Sequence, residues 1–263
     1  MCKVAPDGTA YELTGQENAP VIVLVHGLGL CRHLWNDHLP AFENKYRLLN
    51  YDLYGHGDSA PPPQTASLSV YAKQLSDLMS HLQISSAAIV GFSIGGMINR
   101  RFAMDYPNKV SALVILNSPH DRGEEAQLQV EERASKVREQ GPMATLDEAL
   151  KRWFTPDYLT NGTGVDDVRK WRSQVDQESY AQAAWVLANG VRELIAPEMP
   201  ITKPAIVITC ENDIGSTPKM SKDISAEIAG SELLVIPELK HLGLMEKPEV
   251  FTNPVIEFLA RNL

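Results

Sequence analysis

Three side chains in one order along this chain have the types and spacing for nucleophilic catalysis. They are Ser93 between glycines in "GFSIGG", Asp213 closing "AIVITCEND", and His241 in "LKHLGLM". A serine hydroxyl is a poor nucleophile at neutral pH, so it needs a base to take its proton and an acid to orient that base. Of the seven histidines, His26, His120 and His241 follow strand-like runs, and in open α/β sheets chemistry collects beyond the carboxyl ends of strands. His241 alone completes the order serine, acid, histidine expected after a G-x-S-x-G turn. Asp121, in "LNSPHD", also follows a strand-like run and is the rival acid. Chain order favours Asp213, and His120, which precedes any later acid, reads as a cleft residue.

The elements around Ser93 must hold its hydroxyl outward. Ala87 to Val90 reads as a short buried strand, while Ile94, Met97, Ile98 and Phe102 recur at helical spacing until Tyr106-Pro107 stops them. The chain therefore reverses at Ser93, and Gly91 and Gly95 lack the Cβ atoms that would collide there. A phosphate-binding reading of these glycines lacks its lysine or ribose-binding acid. The loop "HGLG", His26 to Gly29, follows the first strong strand and can turn backbone amides toward a ligand. The N–H groups of Leu28 and Ile94 are then the expected oxyanion hole. In "YDLYGHGDS", Asp52 and His56 are expected to hold turns.

Six apolar runs, "VIVLVHG", "RLLNYDL", "AAIVGF", "VSALVILNS", "AIVITCEND" and "SELLVIPEL", are mostly continuous rather than alternating. That pattern predicts parallel strands buried on both faces. Helix-like segments such as Ser69 to Leu82 separate several of them, giving a doubly wound α/β rhythm. Between Asp121 and Pro197 the rhythm breaks into charged, helix-favouring stretches, read as an inserted helical cap over 121–196 on a core of 1–120 and 197–263. Arg133, Arg138 and Arg152 in this segment are candidate partners for a substrate carboxylate. Trp153, Phe154, Trp171, Trp185 and Met143 are candidate pocket or packing residues.

The 263 residues, 44% hydrophobic and 22% charged, suit one large globular unit with an insertion. A net charge of −9 with no basic run argues against nucleic acid or an anionic membrane as a partner and favours a small molecule. Cys2, Cys31 and Cys210 are scattered, with no metal-ligand spacing, and read as reduced thiols. The opening "MCKVAPDGTAYELTG" lacks a signal-peptide apolar core and no run approaches transmembrane length, so a cytoplasmic location is expected. Oligomeric state has no signature here.

Over nearly its whole length the sequence resembles the α/β-hydrolase superfamily, and within it the 3-oxoadipate enol-lactonase group. The segments "YDLYGHGDS", "GFSIGGM", "RWFTP" and "HLGLMEKPEVF" fall in the corresponding order. The resemblance implies a mostly parallel central sheet flanked by helices with a helical cap. It also implies Ser93 as nucleophile, His241 as base, Asp213 as orienting acid, the Leu28 and Ile94 amides as oxyanion hole, and no cofactor; the absence of ligand-spaced clusters predicts no metal. A serine at the turn argues against the dehalogenase branch, which has a carboxylate there. Two positions depart from the pattern: Tyr54 stands where the family usually has arginine, and "HGLG" where many lactonases have "HSLG". The implied activity is hydrolysis of a small carboxylic ester or lactone through an acyl-enzyme. An enol-lactone carries a free carboxylate, for which Arg152, beside Trp153, is the expected receptor. The alternatives on the same fold are hydrolysis of a carbon-carbon bond in a dienoic diketone, and a ligand-binding receptor or scaffold.

Overall fold

The computed structural model describes residues 2–263. Its strands are β1 (Lys3–Val4), β2 (Ala10–Gly15), β3 (Val21–Val25), β4 (Arg47–Tyr51), β5 (Ala87–Phe92), β6 (Val110–Leu116), β7 (Ala205–Cys210) and β8 (Glu232–Ile236). They form one eight-stranded sheet in the order β1-β2-β4-β3-β5-β6-β7-β8. The pairs β1/β2 and β2/β4 are antiparallel. All the others are parallel.

The six apolar runs are β3 to β8, and β3 to β7 are continuous because helices cover both faces of the sheet there. Side chains alternate across each strand. Val23, Val25, Leu49, Ile89, Leu113 and Val207 enter one hydrophobic cluster. Their neighbours Ile22, Leu24, Leu48, Val90, Val114 and Ile206 enter the other.

Two features differ from the sequence reading. The strands β1 and β2 precede the first expected one. β1 is two exposed residues, and β2 buries only Ala10 and Tyr11 fully, so neither has a periodicity to read. β2 is held by β4, with Tyr11 opposite Tyr51, and β1 pairs in turn with β2. The run "SELLVIPEL" is not buried on both faces: β8 is the edge strand, with Leu233 41% and Val235 40% exposed.

Between β6 and β7 the chain is helical: Gly123–Gln140, Leu146–Trp153, Pro156–Asn161, Gly164–Ser173 and Gln177–Asn189. Ala134, Val137, Val175, Tyr180, Ala184 and Ala188 form a small cluster within this segment. Leu146, Leu150, Phe154 and Val168 instead join one of the sheet's own clusters, which anchors the segment over the carboxyl ends of the strands. Thr155 and Asp176 cap two of these helices by accepting the amides of Tyr158 and Ser179.

Candidate active site

The turn between β5 and the helix Ile94–Asp105 sets the position of Ser93. Ser93 has φ 57° and ψ −115°, a left-handed conformation that costs a non-glycine residue about 1–3 kcal/mol. Its amide donates to Leu116 O at 2.8 Å, which ties the turn to β6. A Cβ on Gly91 would sit 2.2 Å from Gly95 O, and one on Gly95 would sit 2.4 Å from Val25 O. Glycine is thus required for strand and helix to approach closely enough to project the hydroxyl.

Ser93 Oγ lies 3.2 Å from His241 Nε2, and His241 Nδ1 lies 2.6 Å from Asp213 Oδ2. The ring of His241 sits between Phe92 and Trp153, with centroids 4.9 and 6.1 Å away. Asp213 is fully occupied as an acceptor. Its Oδ1 takes the amides of Gly215 and Ser216, each at 2.9 Å, and its Oδ2 also takes Asn117 Nδ2 at 2.9 Å. Burial alone would raise this carboxyl, but the His241 ring and the donors on it outweigh burial and hold it below the usual carboxylate range. An ionised Asp213 fixes the proton of His241 on Nδ1 and leaves Nε2 free to accept from the Ser93 hydroxyl.

The rival acid is elsewhere. Asp121 accepts the Gly123 amide at 3.0 Å in an exposed local turn. His120 is buried with Nε2 3.1 Å from Glu227 Oε1 and does not line the cavity at Ser93. Asn117, on Asp213, is a site residue that the sequence reading missed, as are Arg122 and Arg172 in the cavity wall. It follows β6 with φ 44°, a conformation asparagine tolerates better than most residues. Its only sequence signal is an asparagine at a strand end.

The loop after β3 brings Leu28 to the same cavity, and Ile94 begins the helix after Ser93. Neither amide donates a hydrogen bond among the described residues. His26 braces this loop: Nδ1–H donates to Gly27 O at 2.8 Å and Nε2 accepts from Leu53 N at 3.0 Å. Burial pushes the His26 imidazole down to about 4, so it is neutral and able to accept. In the loop beyond, Asp52 accepts from the Arg32 side chain and from the Arg32 and Asp58 amides. His56 contacts Tyr54 O at 3.1 Å. Both hold turns.

Ser93, Asp213 and His241 line a cavity of about 220 Å3 together with Leu28, Phe92 and Trp153. Arg152 and Arg133 reach it from two different helices, and Arg122 and Arg172 complete its cationic wall. Arg138 does not; it faces Glu178 at the surface. Among the aromatic candidates only Trp153 lines the cavity: Phe154 is core, Trp171 packs against the core, and Trp185 is 48% exposed, as is Met143 at 46%. Among the described residues, no group of three or more His, Cys, Asp or Glu is placed to hold a metal ion. No helix among them is long and apolar enough to cross a membrane, and Cys31 and Cys210 are buried free thiols.

A doubly wound sheet with a serine on the tight turn after its central strand, facing a histidine and an aspartate from later loops, defines a class. The fold is that of the α/β hydrolases, and residues 20–140 match the family model of the alpha/beta hydrolase fold. The chain stands close to the enol-lactonases. It is 28% identical over 253 residues to 3-oxoadipate enol-lactonase 2 of Acinetobacter baylyi (strain ATCC 33305 / BD413 / ADP1), covering 95% of this chain and 92% of that one. The enol-lactonase of Burkholderia xenovorans LB400 superposes with a TM-score of 0.88 at 28% identity, over 97% of this chain and 98% of that one. A hydrolase from Pseudomonas aeruginosa PA01 gives the same TM-score and identity, over 98% and 97% of the two chains.

Proposed function

We propose that the protein is a serine hydrolase that opens a small carboxylic ester or lactone through an acyl-enzyme, as an enol-lactonase does. The observation that carries this reading is the continuous chain of contacts from Ser93 Oγ through both nitrogens of His241 to Asp213. In the first half-reaction His241 Nε2 takes the Ser93 proton while Oγ adds to the substrate carbonyl, and the oxyanion is held by the Leu28 and Ile94 amides. The proton then passes from Nε2 to the leaving alkoxide or enolate oxygen, leaving the acyl group on Ser93. In the second, His241 takes a proton from water, the hydroxide adds to the acyl carbon, and the proton returns to Ser93 as the acid leaves. Asp213 stays ionised throughout and compensates the imidazolium.

The helical segment 121–196 is the cap in this reading, set on a core of 1–120 and 197–263. It bounds a cavity sized for a small acyl group rather than a long chain. Arg152 and Trp153 are its substrate-binding residues, with Arg152 meeting a carboxylate of the substrate. Two measurements test the reading: covalent labelling by a fluorophosphonate, mapped to Ser93 by peptide mass, and turnover of a carboxylate-bearing lactone against its neutral methyl ester. Labelling at Ser93 with preference for the acid supports it. No labelling and no turnover would leave the fold as a ligand-binding scaffold, and preference for the neutral ester would remove the lactonase comparison.

A further inference from the structure

The wall of the cavity opposes the charge of the chain. The protein carries a net −9, yet Arg122, Arg133, Arg152 and Arg172 all face the space at Ser93. Among the described residues none of the four has a carboxylate within 4.0 Å. The arginines that do are Arg32, Arg101, Arg138, Arg169, Arg192 and Arg261.

The four divide by what their guanidinium groups do. Arg122 donates to Leu187 O at 2.9 Å and Ala188 O at 3.3 Å. Arg172 donates to Pro142 O and Thr145 Oγ1, both at 2.7 Å, and lies over the rings of Tyr180 and Trp153. These two are tied to the helical segment by those bonds. Arg133, on the helix Gly123–Gln140, and Arg152, on the helix Leu146–Trp153, make no hydrogen bond among the described residues. Both are half-buried. Burial, and then the charge of Arg152, push the Arg133 guanidinium below its ordinary value; burial does the same to Arg152. Both remain charged at neutral pH.

Two partly desolvated cations that repel each other, with no carboxylate within 4.0 Å and only longer-range attraction, chiefly from Glu148, to offset their burial, destabilise the folded chain. Groups arranged at such a cost beside a nucleophile are the mark of a binding site. A guanidinium fork matches a carboxylate bidentately. We propose that the substrate presents two free carboxylates besides the carbonyl that meets Ser93, one received by Arg133 and one by Arg152. That the anion is a substrate rests on the hydrolase reading; that it binds here does not. The carboxylate released at Ser93 by hydrolysis is then a third negative charge in the product, held by the acyl end of the site.

The test uses a charge ladder on one carbon frame: the terminal monomethyl ester of propane-1,2,3-tricarboxylic acid with two free carboxylates, the dimethyl ester with one, and the trimethyl ester with none. Each is titrated calorimetrically into the Ser93→Ala protein, which cannot turn it over. The expected affinity rises about tenfold per carboxylate, as for a charge-assisted bidentate pair. Arg133→Gln and Arg152→Gln each remove one step of the ladder and keep or raise the thermal midpoint, since each relieves repulsion. The same two substitutions in the Ser93 protein raise KM for the two-carboxylate ester more than they lower kcat. The proposal is overturned by equal binding of the two- and one-carboxylate esters, by a ladder that survives both arginine substitutions, or by inorganic phosphate binding more tightly than any ester. Failure of the fluorophosphonate to label Ser93 would instead sink the hydrolase reading and leave the ladder standing.

Discussion

Acidification should unfold this protein well above the carboxylate range, because three buried histidines must take protons to which the fold is closed. Burial pushes His26 and His38 down to about 4 each, and burial together with the nearby His26 charge pushes His56 down to about 3, from an ordinary 6.5. The rings of His26 and His56 are 5.4 Å apart, and His38 Nδ1 is 2.7 Å from Thr252 Oγ1. Between pH 6.5 and 4 the unfolded chain therefore binds more protons than the folded one, and stability falls as pH falls. At pH 5 each of the three imidazoles removes about 2 kcal/mol relative to pH 8, or about 6 kcal/mol together. A domain is stable by only about 5–15 kcal/mol in total. The assay is the urea midpoint at pH 7.5, 6 and 5, a window in which ordinary carboxylates stay ionised. His38→Gln, remote from the cavity, should flatten the dependence by about a third. A midpoint unchanged between pH 7.5 and 5, or a His38→Gln slope equal to the wild type, would refute the reasoning. Function falls with the fold here: a proton on His26 Nε2 removes the acceptor of Leu53 N–H, which braces the loop carrying Leu28.

Ser93→Ala and His241→Ala should each lower kcat by roughly four orders of magnitude or more while leaving circular dichroism intact, because the pair acts as one unit. Asp213→Asn should cost a similar factor and Asp121→Asn less than about twofold; the reverse result would move the orienting acid to the earlier loop. Asn117→Gly, which keeps the left-handed backbone but deletes a donor 2.9 Å from Asp213, should lower kcat about tenfold to a hundredfold with KM unchanged. An unchanged kcat would make Asn117 a packing residue. Gly95→Ala, whose Cβ meets Val25 O at 2.4 Å, should lower the unfolding free energy by about 1–3 kcal/mol, read as a shift in urea midpoint; full stability would mean that the turn is looser than its contacts indicate.

Ser93, Asp213 and His241 are separated by 120 and 28 positions in the chain, yet each has a local signature. Ser93 lies in a glycine-framed strand-to-helix turn, Asp213 at the end of a continuous apolar run, and His241 on the loop after the next such run. The five inner parallel strands β3 to β7 are legible for the same reason, since a strand covered on both faces is apolar at every position. The expectation for β8 fails because an apolar run looks alike at the centre of a sheet and at its edge; only the absence of a strand beyond it exposes Leu233 and Val235. β2 escapes because its order comes from pairing with β4, a partner some forty positions away, and β1 because it is two exposed residues paired only with β2.

The sequence by itself determined the doubly wound rhythm, the helical excursion after β6 and the residues at the strand ends, because these depend on periodicity and on glycine where a side chain cannot fit. Only the tertiary structure decided what depends on direction between distant elements. It turned Asn117 onto Asp213, left Asp121 in a surface turn, and chose Trp153 over Trp185 for the cavity. It also brought Arg122, Arg133, Arg152 and Arg172 from separate parts of the helical segment to one wall, and among the described residues it placed no carboxylate within 4.0 Å of any of them. On a helix an arginine at the surface and an arginine over a nucleophile have the same sequence; their charge acquires a function only when packing removes the water and the carboxylates around it.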